Sequence, residues 1–227
     1  MCGRFTQTFS WQTLHDLLTM TDKPVEFAPR YNVAPGQKIA AVRMEGNQRR
    51  LAWLRWGLIP GWAEDPTVRH RLINARSETA STRPSFRSAF RSRRCLIPAS
   101  GFYEWRRARA VRQPYLISRV DGQPMVFAGL WERWTVPAGT TLTGSLAAFE
   151  PGEDIETCTI LTTAANTLVA QVHDRMPVIL PPEAFGAWLG GERVPLAPCA
   201  PETLASRPVS TAVNDHRNDD PRCLDPA

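Results

Sequence analysis

Two lysines and four histidines are all that this 227-residue chain contains, and its five cysteines (Cys2, Cys95, Cys158, Cys199, Cys223) never form a Cys-x-x-Cys pair. An odd, scattered cysteine set argues against a disulfide framework and against a structural zinc site. With so few histidines, metal binding has little material. No uninterrupted apolar run approaches the ~18 residues of a membrane span, and the first residues carry neither a basic stretch nor an apolar segment of the secretory kind. The expectation is a cytoplasmic protein. Phosphate-loop, His-Glu-x-x-His and Gly-x-Ser-x-Gly patterns are missing, which removes the commonest nucleotide-binding, zinc-protease and serine-hydrolase readings.

Positive charge is abundant and unevenly placed. Residues 1–119 hold 21 Lys and Arg against 8 Asp and Glu, a balance of +13, whereas the remainder holds 6 against 14. Nearly all of it is arginine, whose planar fork suits phosphate and whose guanidinium stacks on bases. A polyanionic partner is one reading; a GC-rich coding genome is the other, although it does not account for the lopsided distribution.

The hydrophobic pattern points to strands more than helices. Ser10 caps a short helix through Met20, with Trp11, Leu14, Leu17 and Leu18 on one face. "KIAAVRM" (38–44) and "LAWLRWGLI" (51–59) flank a turn at Gly46. Further strands fall at 95–105, 114–120, 125–134 and 156–165, with Asp121-Gly122 as a hairpin signal. Short helices are expected at 76–82, 165–172 and 182–189. Strands this close in sequence imply an α+β domain, mainly antiparallel sheets folded into a pseudo-barrel with short peripheral helices. Residues 1–227 read as one domain, with 136–154 an exposed inserted loop and 214–227 a polar tail that is loop or disorder.

Several polar residues sit inside apolar segments. Cys2 follows the initiator Met1 directly; it is either one more small buried side chain or, once Met1 is removed, an amine and a thiol on adjacent carbons. Asn74, in "RLINARSET", either satisfies a turn or serves a site. On a strand, Glu104 shares a face with Phe102 while Tyr103 and Trp105 share the other. There Glu104 is either an exposed strand-end residue or a partly desolvated carboxyl suited to holding a proton near neutrality. His173, in "VHDRMPVIL", is either a hydrogen-bonded core residue or a catalyst. Trp56, Trp62 and Trp105 lie among arginines, an arrangement suited to stacking single-stranded bases; Trp56 is expected in the core and Trp62 at the surface.

Taken together, "MCGRF", "RYNVAPGQ" (30–37), "RWGLIPGWA" (55–63), "INARSET" (73–79), "RCLIPASGFYEW" (94–105), "FAGLWERW" (127–134), "TILTTAAN" (159–166) and "HDRMPVIL" (173–180) resemble the SRAP family, known first as SOS response-associated peptidases and understood as shields of abasic sites in single-stranded DNA. The resemblance implies that Cys2 condenses with the abasic-site aldehyde to a thiazolidine, with both of its nucleophiles tuned for neutral pH. It also implies that Asn74 anchors the chain end or the ribose oxygen, that Glu104 is the acid/base and also catalyses release, and that His173 stabilises the ring-opened hydroxyl or assists proton transfer. Arg4 and Arg76 would contact phosphates, and Pro35, Trp62 and Trp105 would wedge or stack at a DNA junction. No cofactor is implied. The partner is single-stranded DNA with abasic sites, or a single-strand/double-strand junction, bound by a bacterial monomer that is nucleoid-associated when on DNA. The longer 136–154 loop and His216, where a proline is common in the family, depart from the pattern. A thiol peptidase acting on itself or on other chains, and a noncatalytic reader of modified or junction DNA, remain as alternatives at this stage.

Overall fold

The computed structural model of the chain describes residues 2–26, 28–107 and 112–227. Its twelve strands, in chain order, are β1 (Phe5–Gln7), β2 (Arg30–Val33), β3 (Lys38–Glu45), β4 (Gln48–Trp56), β5 (Asn74–Arg76), β6 (Arg94–Ala99), β7 (Gly101–Arg107), β8 (Arg112–Arg119), β9 (Met125–Thr135), β10 (Asp154–Ala164), β11 (Arg175–Pro177) and β12 (Leu204–Pro208). Among the described residues three α-helices accompany them: α1 (Trp11–Leu18), α2 (Arg87–Ser92) and α3 (Phe185–Leu189). Strands β10, β4, β3, β6 and β9 pair in that order, and β9 pairs back to β10, so five strands close into a ring without free edges. A second, antiparallel sheet has the order β12-β8-β7-β1-β2.

Alternation along the ring strands creates two apolar faces. Ile39 and Ala41, Leu54 and Trp56, Cys95 and Ile97, and Cys158 and Ile160 pack with Phe5, Phe102 and Ile117 of the second sheet. Val42, Leu96, Ala128 and Leu161 face the other way and are covered by Leu14 and Leu18 of α1, Ala89 of α2, and Phe185 and Trp188 of α3. Close approach within the ring depends on Gly129, where a Cβ would stand 2.8 Å from Cys95 Sγ and 2.7 Å from Ile97 Cδ1. Buried Gln7 fastens the two sheets, donating to the carbonyls of Ala40 and Pro98 at 2.9 Å each.

The antiparallel pseudo-barrel with peripheral helices is therefore present, with parallel pairings of β10 to β4 and to β5 added to it. Ser10 caps α1, its hydroxyl accepting from Thr13 N at 3.1 Å, but the helix stops at Leu18 because Thr19 turns left-handed at φ 49°. Four local expectations are corrected. Residues 76–82 form turns, not a helix, since Arg76 is taken into β5 and Ser77 N donates to Thr162 O at 2.8 Å. The run 95–105 is two strands in different sheets, and Ser100 marks the crossing: its N donates to Thr6 O and its hydroxyl accepts from Thr8 N. Only one turn of 3-10 helix, Val169–Gln171, forms within 165–172. The loop after β9 is not wholly exposed, because Val136, Leu142 and Leu146 bury themselves against Ile59 and Trp134.

Of the two readings of the polar tail, loop and disorder, it takes the first, with short 3-10 turns. Rather than loose chain, 213–219 is gathered by a buried residue of β2: Asn32 Nδ2 lies 2.7 Å from Asn218 O and 3.0 Å from Asp215 O. Asp219 in turn accepts from Asn32 N at 2.9 Å and from the Arg30 side chain. A buried amide without partners costs ~1–3 kcal/mol, and the tail's carbonyls supply them.

Candidate active site

The second sheet places the beginning of the chain between β2 and β7. Phe5 pairs with Val33 on one side and Phe102 on the other, and Tyr103 N donates to Arg4 O at 3.0 Å. This pairing brings Cys2 beside β7. Alternation on β7 is as read from the sequence: Phe102 enters the main core, while Tyr103 and Trp105 pack against Val209 and Val213. Glu104 shares the face of Phe102 and reaches the same region as Cys2.

There the structure brings together the four residues expected to carry chemistry. Asn74, at the start of β5, donates from Nδ2 to Cys2 O at 2.8 Å, and its Oδ1 is buried with no hydrogen-bond partner among the described residues. Its place is set by the parallel ladder to β10, where Asn74 lies opposite Ile160. Glu104 is 3% exposed, and burial pushes its carboxyl up to about 7. Glu104 and His173 both line one open cavity of about 490 Å³. His173 Nδ1 accepts from Arg175 N at 3.0 Å, and Asp174 Oδ1 is equally near that nitrogen. One nitrogen cannot accept from the amide and donate to the carboxylate together. The amide hydrogen is fixed, so in the neutral ring Nδ1 keeps its lone pair and Nε2 carries the hydrogen.

Cys2 departs from expectation in one respect. Its side chain is wholly buried as part of the main apolar core, and burial, followed by the Glu104 charge, pushes the thiol up rather than down. The thiol is held neutral, the opposite of tuning toward a thiolate.

Arg4 and Trp105 also line the cavity, together with Gly3, Arg112 and Asn214. Arg4 is partly committed: its Nη1 donates to Asn32 Oδ1 and to Val213 O, each at 2.7 Å. The Trp105 indole donates to Asn214 Oδ1 at 2.6 Å. Pro35, Trp62 and Arg76 lie outside the lining; all three are exposed, Trp62 at 65%. Trp56 is core, as expected, its indole donating to Ile73 O at 2.8 Å. Sequence reasoning missed Asn32, Arg112 and Asn214. For Asn32 the one available signal was a polar residue in the otherwise extended "RYNV".

A family model described as SOS response associated peptidase (SRAP) matches residues 1–216. The chain belongs to the SRAP family. Among curated relatives, it is 37% identical to abasic site processing protein YoqW of Bacillus subtilis, the match covering 99% of each chain. It is 34% identical to abasic site processing protein YedK of Escherichia coli over 100% of each. Abasic site processing protein HMCES of Xenopus tropicalis is 29% identical over 99% of this SRAP chain and 78% of that protein. A solved structure of a protein from Bacteroides thetaiotaomicron superposes with a TM-score of 0.84 at 26% identity, covering all of both chains. A second, from Bordetella bronchiseptica, gives 0.75 at 28% identity, covering 92% of this SRAP chain and all of that one. All three of these curated relatives are named abasic site processing proteins. No helix among the described residues is long and apolar enough to cross a membrane.

Proposed function

We propose that this SRAP protein captures abasic sites in single-stranded DNA by forming a thiazolidine between Cys2, freed of Met1, and the ring-opened sugar. The observation that carries this reading is the convergence of Cys2, held through Asn74, with Glu104 raised to about 7 beside the cavity it shares with His173.

The order of steps follows from the ionisation states. Glu104, its carboxyl pushed up by burial so that it still holds a proton near neutrality, donates that proton to the sugar ring oxygen as the C1′–O4′ bond breaks and takes back the proton of the C1′ hydroxyl, leaving an aldehyde at C1′ and a hydroxyl at C4′. His173 Nε2–H is a donor for that hydroxyl. The Cys2 amine then adds to C1′ and water leaves, giving an imine. The thiol follows: S–C1′ forms, the C=N bond becomes a single bond, and the S–H proton passes by way of Glu104 to the nitrogen. One water is lost overall, and no redox partner is needed.

A neutral thiol is a weak nucleophile toward a free aldehyde, so the amine acts first and the sulfur closes a ring already tethered to it. Tethered, oriented reactions gain effective molarities of roughly 10⁵ M or more. A thiol peptidase would instead need an ionised Cys2, which burial opposes; the crosslinking reading is therefore preferred. Arg76 and the uncommitted nitrogens of Arg4 take phosphates, while Trp62 and Pro35 meet bases at the strand or junction.

The test is a denaturing gel of the purified protein with an oligonucleotide carrying one abasic site. A shifted band is expected, absent for Cys2→Ala and absent with undamaged DNA. Salt-sensitive binding with no covalent band would favour a noncatalytic reader instead.

A further inference from the structure

The segment after β5 carries arginines with no use inside the fold. Arg83, Arg87 and Arg91 recur every fourth residue through the turn 79–86 and α2, where Arg87 N donates to Arg83 O at 2.9 Å. On α2 that spacing puts Arg87 and Arg91 on one side, and Arg83 stands four residues before Arg87 in the preceding turn. All three are exposed, and among the described residues none has an ion pair or a side-chain hydrogen bond. Their neighbours contrast with them: Arg93 pairs with Glu132 at 2.7 Å, and Arg94 is buried against Phe90 and Trp188 with its nitrogens on carbonyls. Like charges four residues apart on a helix repel, so the fold gains nothing from placing Arg87 and Arg91 together on α2. Arg87 and Arg91 also border an open cavity of about 740 Å³, into which Ser81, Ser88 and Arg94 also face. The row belongs to the stretch of chain that begins with Asn74 in the site and continues through exposed Arg76.

We propose that Arg83, Arg87 and Arg91 form a second phosphate-binding track, which holds the DNA backbone several nucleotides from the lesion captured at Cys2. It rests on the crosslinking reading for the position of the lesion. Charge complementarity selects the occupant: three unpaired guanidinium groups beside serine hydroxyls suit a polyanion with regularly repeated phosphates.

The experiment compares noncovalent binding of undamaged single strands of about 6 and about 20 nucleotides, lengths below and above a typical single-strand footprint. Wild type is expected to bind the long strand at least about tenfold more tightly. In Arg87→Ala/Arg91→Ala that advantage falls at least about fivefold, short-strand affinity is unchanged, and the salt slope for the long strand becomes shallower by about 1.4. The crosslink endpoint with saturating abasic DNA stays at the wild-type level, and Arg87→Lys/Arg91→Lys restores most of the advantage. An unchanged length dependence in the alanine variant, with an unchanged melting curve, overturns the track alone. Absence of any crosslink from wild type overturns the reading of Cys2 instead.

Discussion

The side-chain amide of Asn74 donates to the backbone carbonyl of Cys2 at 2.8 Å, across 72 positions of sequence. One hydrogen bond thus ties Cys2 to a strand whose position is fixed by a parallel ladder. Asn74→Asp replaces the donor with an anion facing a carbonyl. The variant is expected to fold with a loss of ~1 kcal/mol and to crosslink at least about tenfold more slowly, as read in a quenched time course.

Glu104→Gln separates charge from shape. The native carboxyl titrates about 7, above its ordinary value of 4.5, so between those values the folded state holds the proton more tightly than the unfolded one. Wild-type stability therefore falls as pH rises through that window. The glutamine variant escapes this loss, on the order of 2–3 kcal/mol: its melting temperature should match wild type near pH 4 and exceed it near pH 8. Crosslinking at neutral pH should drop by roughly 10². A variant less stable than wild type at pH 8 would contradict the burial argument.

Trp62 is 65% exposed and supports no core. Trp62→Ala should change stability by less than about 0.5 kcal/mol, yet weaken single-strand binding by ~1–3 kcal/mol if a base stacks there. Fluorescence anisotropy and a thermal melt on the same sample decide this.

Gly129→Ala is the opposite case, a structural lesion away from the cavity. The added carbon meets Cys95 and Ile97 within 2.8 Å, so urea unfolding should report a loss of ~1–3 kcal/mol. Crosslinking under conditions where the variant is folded should be unaltered.

Local chemistry was the legible part of this fold. The Ser10 cap, the Gly46 turn between Glu45 and Gln48, and the two faces of "GFYEW" each leave a mark within a few residues. Ring closure leaves none: β10 finds β4 and β5 by pairings such as Cys158 with Trp56 and Ile160 with Asn74, and a buried strand looks the same whichever partner it meets. The break at Ser100 was hidden for the same reason, since "CLIPASGFY" is apolar on both sides of the crossing. At the site, Cys2, Asn74, Glu104 and His173 were legible as residues, whereas the choice between the two readings of Cys2 was not, because its burial depends on core residues arriving from distant strands. Asn32 left only the faint mark of a polar residue in "RYNV", and the tail it gathers left none, because polar residues with distant backbone partners read as solvent-exposed.

Arg4 reaches Val213 across 209 positions, and Asn214 in the same short segment steadies Trp105. During synthesis the cysteine end leaves the ribosome first, while the residues that finish its surroundings follow roughly 10–40 s later. For that interval a nascent chain lacks the partners that hold Arg4 and Trp105 in their final places. On the crosslinking reading, the surroundings of the chain's first residues are thus completed only when residues 213 and 214 fold back onto Arg4 and Trp105.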